Sequence, residues 1–244
     1  MPAPLVRPVV TSIYKRAGKL VRLPERMAHC SPDTKKAMYG IRRTLENHGG
    51  TFLLSDLFRS YDMQRQAHRD YMTGRKTGFS PPPGGSMHEA GRAFDVDLNA
   101  MRMSLAEFWK IAAQWHVVPI IGMPDPTQSQ PWHFECRGSH QLVYDYYAAR
   151  KGSNFLKPSQ AMAASAIVSI GVSHDAFPGR GAAAYLQSAL IRLGFEIGSM
   201  DGDVGTKTRS ALQGAGIAAD TIDAQLSAVE GLLGRRFPEE YSEA

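Results

Sequence analysis

The sequence predicts an α+β fold, with a mostly antiparallel sheet and flanking helices, followed by a small all-α domain at the carboxy terminus. Residues 93–99 and 132–137 alternate apolar and polar side chains with the period of two that marks a strand with one dry face. Helical patterns are grouped around the strand candidates rather than alternating regularly with them, and the chain beyond residue 182 holds helical patterns alone.

Residues 1–30 read as an amino-terminal arm. The stretch "CSPDTKKAMYGIRRTLENHGG" has Ser31 as N-cap, Pro32 at the first helical position, Asp33 in the first turn and Gly49-Gly50 as a stop, so a helix is expected over 32–48. "TFLLSDLF" (51–58) reads as a buried strand and "YDMQRQAHRDYMTG" (61–74) as a helix ended by Gly74. Pro and Gly make 74–86, "GRKTGFSPPPGGS", a loop. In "AFDVDLN" Phe94, Val96 and Leu98 share one face, while Asp95, Asp97 and Asn99 share the other. An amphipathic helix over 104–116, a short strand "VVPII" and a loop lead to "WHFECR", which puts His133, Glu135 and Arg137 on its polar face. A helix over 139–152 completes a domain expected at 31–152. Residues 153–181 read as a linker with room for one short helix, and 182–244 as the helical domain.

Composition narrows the function. The chain has 244 residues, 43% hydrophobic and 21% charged, in the range of globular proteins. Its longest apolar stretch, residues 161–172, is too short for a membrane span and is expected to be a buried helix, so the protein is not expected to be integral to a membrane. The amino terminus lacks the apolar core of a signal peptide, which suggests synthesis in the cytoplasm without standard export. Cys30 and Cys136 form no disulfide framework. Residues 1–157 carry 22 Lys and Arg against 13 Asp and Glu, whereas 181–244 carry 5 against 9. A basic body suits a polyanion, but no recognition-helix, zinc-finger or aromatic-basic pattern supports nucleic acid.

Metal chemistry is suggested by His88, Asp95 and His133. A catalytic zinc site commonly takes three His or carboxylate ligands, and opposed strand residues have Cβ atoms about 5 Å apart. The stretch Ser86 to Asp95, "SMHEAGRAFD", fits S-x-H-x-x-G-x-A-x-D; "QPWH" (130–133) fits E-x-W-H except at its first letter; "FRSYDMQ" (58–64) supplies an aromatic-Arg-Ser followed by Gln. Together these resemble the D-Ala-D-Ala carboxypeptidase and L-Ala-D-Glu endopeptidase family of zinc peptidases, which includes vancomycin-resistance carboxypeptidases and phage endolysins. The resemblance implies Zn2+ on His88, Asp95 and His133, Arg59 stabilising an oxyanion or a substrate carboxylate, and Ser86 and Gln64 supporting substrate binding. It further implies a monomeric enzyme acting on peptidoglycan at the bacterial cell wall. Asp97 and Glu135 are expected to orient the ligand imidazoles. The tail, "AYLQSALIRLGF" (184–195) followed by "DGDVGTKTRSAL" (201–212), resembles the small helical peptidoglycan-binding domain, without that domain's closing Phe-Gln.

In this family the acid three residues before the last ligand moves the proton. Gln130 occupies that position, and an amide neither accepts nor releases a proton near neutral pH. Three readings stand open: a deliberate Glu-to-Gln replacement, a natural binder that kept the cleft, or a base supplied by Glu135 or Asp125.

Overall fold

Strand formation begins inside the segment read as an arm. β1 (Thr11–Arg16) and β2 (Lys19–Arg22) make an antiparallel hairpin across Ala17-Gly18, whose φ angles of 49° and 78° suit a two-residue turn of the I′ class. Most hairpin residues after Ser12 are exposed, so no apolar alternation announces the strands. The structure is a computed structural model describing residues 4–243, and the chain divides into two units, residues 5–137 and 138–242.

In the first unit α1 (Pro32–Asn47) buries Ala37, Met38, Ile41 and Leu45, a stripe at helical spacing. Each of its large apolar side chains contributes roughly 1.5–3 kcal/mol by leaving water. Ser31 stands at the N-cap, but its hydroxyl donates to the Asp33 carboxylate at 2.6 Å instead of accepting a backbone N–H. Next come β3 (Leu53–Asp56), α2 (Tyr61–Met72), β4 (Ala93–Val96), α3 (Leu105–Ala113), β5 (Val117–Pro119) and β6 (His133–Cys136). The sheet order is β2-β1-β3-β4-β6-β5, and every neighbouring pair is antiparallel except β1 with β3. This is the α+β, mostly antiparallel architecture that the sequence predicts.

The register of β4 and β6 sets the two faces of the sheet. Phe94 lies opposite Phe134 with stacked rings 6.2 Å apart, and Phe108 of α3 meets Phe134 edge-on at 4.8 Å. With period two, the neighbouring pair Asp95 and His133 must point to the other face.

The second unit is helical: α4 (Gln141–Ala148), α5 (Pro158–Ser169), α6 (Gly181–Arg192), α7 (Thr206–Gly214) and α8 (Ile222–Arg236). Its core includes Leu186, Leu190, Val229 and Leu233. The division falls between Arg137 and Gly138, so α4 belongs with the helices. The segment expected as a linker holds α5, in which every residue from Ala161 to Ser169 is buried. A helix of small residues buried all round has no polar face, so its apolar run, and not an amphipathic period, announces it as the buried helix expected over 161–172. Fully buried Arg192 of α6 donates to Glu240 Oε2 at 2.8 Å and to Ser139 Oγ at 2.6 Å. Gln187 closes the 201–203 turn, donating to Asp201 Oδ1 at 2.9 Å and accepting from Gly202 N at 2.7 Å.

Among the described residues no helix is long and apolar enough to cross a membrane. Cys30 and Cys136 are buried free thiols.

Candidate metal centre

His88 reaches the site on a short 3-10 turn, Met87–Ala90. Ser86 caps it, accepting the His88 N–H at 3.3 Å, while Glu89 reaches back to Ser86 N and also takes Gly84 N. The turn ends at Gly91 with φ 63°, where a Cβ would stand 2.7 Å from Cys30 Cα, so only glycine fits. Asp95 and His133 arrive as directly opposed residues of β4 and β6.

Three ligand atoms converge. His88 Nε2 lies 3.2 Å from His133 Nδ1 and 3.4 Å from Asp95 Oδ1, and His133 Nδ1 lies 2.9 Å from Asp95 Oδ1. Donors held 2.0–2.1 Å from a tetrahedral zinc ion stand about 3.3 Å from one another. The set of two imidazole nitrogens and one carboxylate oxygen therefore fits zinc in both chemistry and spacing. All three residues are buried, and they form a group able to hold a metal ion.

The surroundings aim these atoms inward. His88 Nδ1 is 2.7 Å from the Leu57 carbonyl, which can only accept, so Nδ1 carries a proton and Nε2 is the ring atom that faces inward. On the outer side of His133, Nε2 lies 3.6 Å from Glu135 Oε1, and the other oxygen of that carboxylate takes Arg137 Nε at 2.7 Å. Burial alone would push the Asp95 carboxyl up, but the charge of His88 and the hydrogen bonds from His133 and His88 hold it well below the usual carboxylate range. For His133 burial lowers the pKa, yet hydrogen bonds to Asp95 and Glu135 outweigh it and raise the imidazole to about 9 in the metal-free protein. Burial would likewise raise Glu135, but His133 and Arg137 keep it low. The cluster is thus strongly cation-seeking.

Arg59 stands beside this group. Its Nε donates to Asp56 at 2.7 Å, one Nη donates to Gln64 Oε1 at 3.1 Å, and the other lies 3.6 Å from Asp95 Oδ2. Gln64 is fully buried, and its Nε2 donates to Ser80 Oγ at 3.1 Å and to the Pro81 carbonyl at 2.6 Å. Gln64 thus holds Arg59 from behind, and Ser86 holds the backbone of His88.

Asp97 departs from expectation. β4 ends at Val96, and the Asp97 carboxylate turns back to accept Asn99 N at 2.9 Å, a local turn that competes with the ladder. Only Glu135 supports an imidazole. Glu135 is engaged by His133 and Arg137, and Asp125 takes Thr127 N and Oγ1 at 2.8 and 2.7 Å. Neither is placed as a replacement base. Gln130 is half-buried at φ 61°, and its carbonyl accepts the His133 N–H at 3.2 Å.

The sequence reading missed Asp56, the Leu57 carbonyl, Ser80 and Arg137. Asp56 lies three residues before Arg59 and was within reach of charge-pair reasoning. A backbone carbonyl has no residue signature at all.

No family model and no curated protein matches the chain. Among solved structures it is similar to the LdcB LD-carboxypeptidase, whose structure is described as revealing the molecular basis of peptidoglycan recognition, with a TM-score of 0.41 and 17% identity over 55% of this chain and 68% of that one.

Proposed function

We propose that the sheet unit is a zinc peptidase scaffold acting on peptidoglycan stem peptides or their cross-links, and that Gln130 silences its turnover. The observation that carries this reading is the buried convergence of His88 Nε2, Asp95 Oδ1 and His133 Nδ1 at zinc-like spacing. The three sequence motifs that resemble the zinc carboxypeptidase and endopeptidase family supply the substrate class, and the tail that resembles a peptidoglycan-binding domain points to the same polymer.

A zinc ion held there supplies an activated water and a polarised scissile carbonyl. The protein's own residues do the rest. Asp56 and Gln64 hold the Arg59 guanidinium, which is always charged and is aimed beside Asp95, where it can stabilise negative charge that develops on the substrate. Glu135 fixes the ring of His133. At position 130 a carboxylate would take a proton at its oxygen and pass it to the leaving amine, whereas the Gln130 amide can only hydrogen-bond. An inactive wall-binding module is the second reading, and Gln130 itself is the observation that favours it.

Two measurements separate the readings. Protein purified without chelator should carry one zinc per chain by elemental analysis, and His88→Ala or His133→Ala should lose it; a parent without stoichiometric zinc sinks the metal reading. Gln130→Glu should raise cleavage of purified peptidoglycan by about 10²- to 10⁴-fold. No gain, with the parent still retained on cell walls, leaves the binding module.

A further inference from the structure

The loop between α2 and the His88 turn is tied down along its length. Lys76 N donates to the Asp70 carbonyl at 3.0 Å, and His68 Nδ1 meets the Ser80 carbonyl at 2.8 Å. Its course brings Lys76 next to the residue at the centre of the functional question. From the point where a Cβ on Gly78 would stand, Trp132 Cζ2 is 3.3 Å away, Gln130 Cγ 3.7 Å and Lys76 Cε 3.8 Å. Lys76, Gln130 and Trp132 therefore crowd around one buried glycine, which puts the end of the Lys76 side chain beside Gln130.

Lys76 is half-buried as a residue, and no carboxylate or other acceptor among the described residues pairs with its ammonium. Arg59, by contrast, has Asp56, Gln64 and Asp95 around it. Burial and the charge of Arg59 lower the Lys76 pKa, while Asp95, Asp56 and Asp70 oppose them, so Lys76 lies within the field of the metal group. A cation partly withdrawn from water without a partner gains when an anion completes it.

We propose that Lys76 is an anion-binding residue that holds a substrate carboxylate beside Gln130 and Trp132. This rests on the peptidase reading above, which supplies peptides with free carboxylates as ligands. An ammonium suits the task because it is a point charge on a flexible stem and does not demand the two-pronged geometry of a guanidinium.

The test is calorimetric titration of the zinc-loaded full chain with the synthetic peptide L-Ala-γ-D-Glu-L-Lys-D-Ala, and with versions in which each carboxylate in turn is a carboxamide. The parent should bind the acid form about tenfold more tightly than one of the carboxamides. Lys76→Met should lose that preference while retaining zinc, and Lys76→Arg should keep it. Equal binding of all forms by the parent overturns the proposal, and so does a Lys76→Met protein that still discriminates. Should Lys76→Met not fold, the parent's acid-to-carboxamide ratio and Lys76→Arg decide. A zinc-loaded parent that binds none of the peptides brings down the peptidase reading and this inference together, a result distinct from binding without carboxylate preference.

Discussion

In the helical unit Arg192 and Glu240 are both fully buried, and their charges meet each other and Ser139. In the sheet unit Asp95 and two histidines are just as deeply placed, yet their inward-facing atoms meet only one another, at 2.9–3.4 Å. The first arrangement pairs a cation with its anion, and among the described residues leaves only Nη1 of Arg192 without an acceptor. The second gathers two ring nitrogens and one carboxylate oxygen around a single point. Burial of polar groups is common to both, so burial by itself does not mark a site. What distinguishes the metal centre is the direction of the unshared pairs, which Leu57 and Glu135 set from outside.

This contrast can be broken experimentally. Glu240→Ala strands a buried guanidinium, which should cost about 3–5 kcal/mol and lower the first thermal transition markedly. A change below 1 kcal/mol in denaturant titration would mean that Arg192 finds water or another partner. Glu135→Gln should leave folding largely intact but weaken zinc binding by about 10- to 100-fold in chelator competition. Unchanged affinity would remove Glu135 from the support of His133.

The smallest effect is a pH dependence. In chelated protein the His133 pKa is raised from 6.5 to about 9, so the stability contributed by its protonated ring is full below about 6.5 and is lost as pH rises through 9. Zinc needs the unprotonated ring and competes with that proton. The gain in melting temperature on adding zinc should therefore widen between pH 6 and pH 9, and a flat or narrowing gain contradicts the assigned ring.

Much of the centre was legible because strand alternation is a rigid rule. Once Phe94 and Phe134 face the core, Asp95 and His133 have no choice of side. The same rule misled at Asp97, since alternation holds only while the strand lasts and a short carboxylate can end it by bonding its own backbone. Lys76 lay in a loop recognised only by its Pro and Gly content, and its neighbours come from residues 130 and 132, far along the chain. The hairpin of β1 and β2 escaped because it is too exposed to show a period, whereas α5, buried all round, was legible only from its apolar run.

The backbone at Gln130 has a consequence at the level of the gene. Its carbonyl holds the His133 N–H and its φ is already 61°, so what this position gives the metal ligand comes from the main chain and is indifferent to amide or acid. Glutamine and glutamate codons differ by one base at the first position. On the proposed peptidase reading, fold and metal binding would pass unaltered through that mutation, and the proton carrier would be a trait gained or lost in a single inherited step.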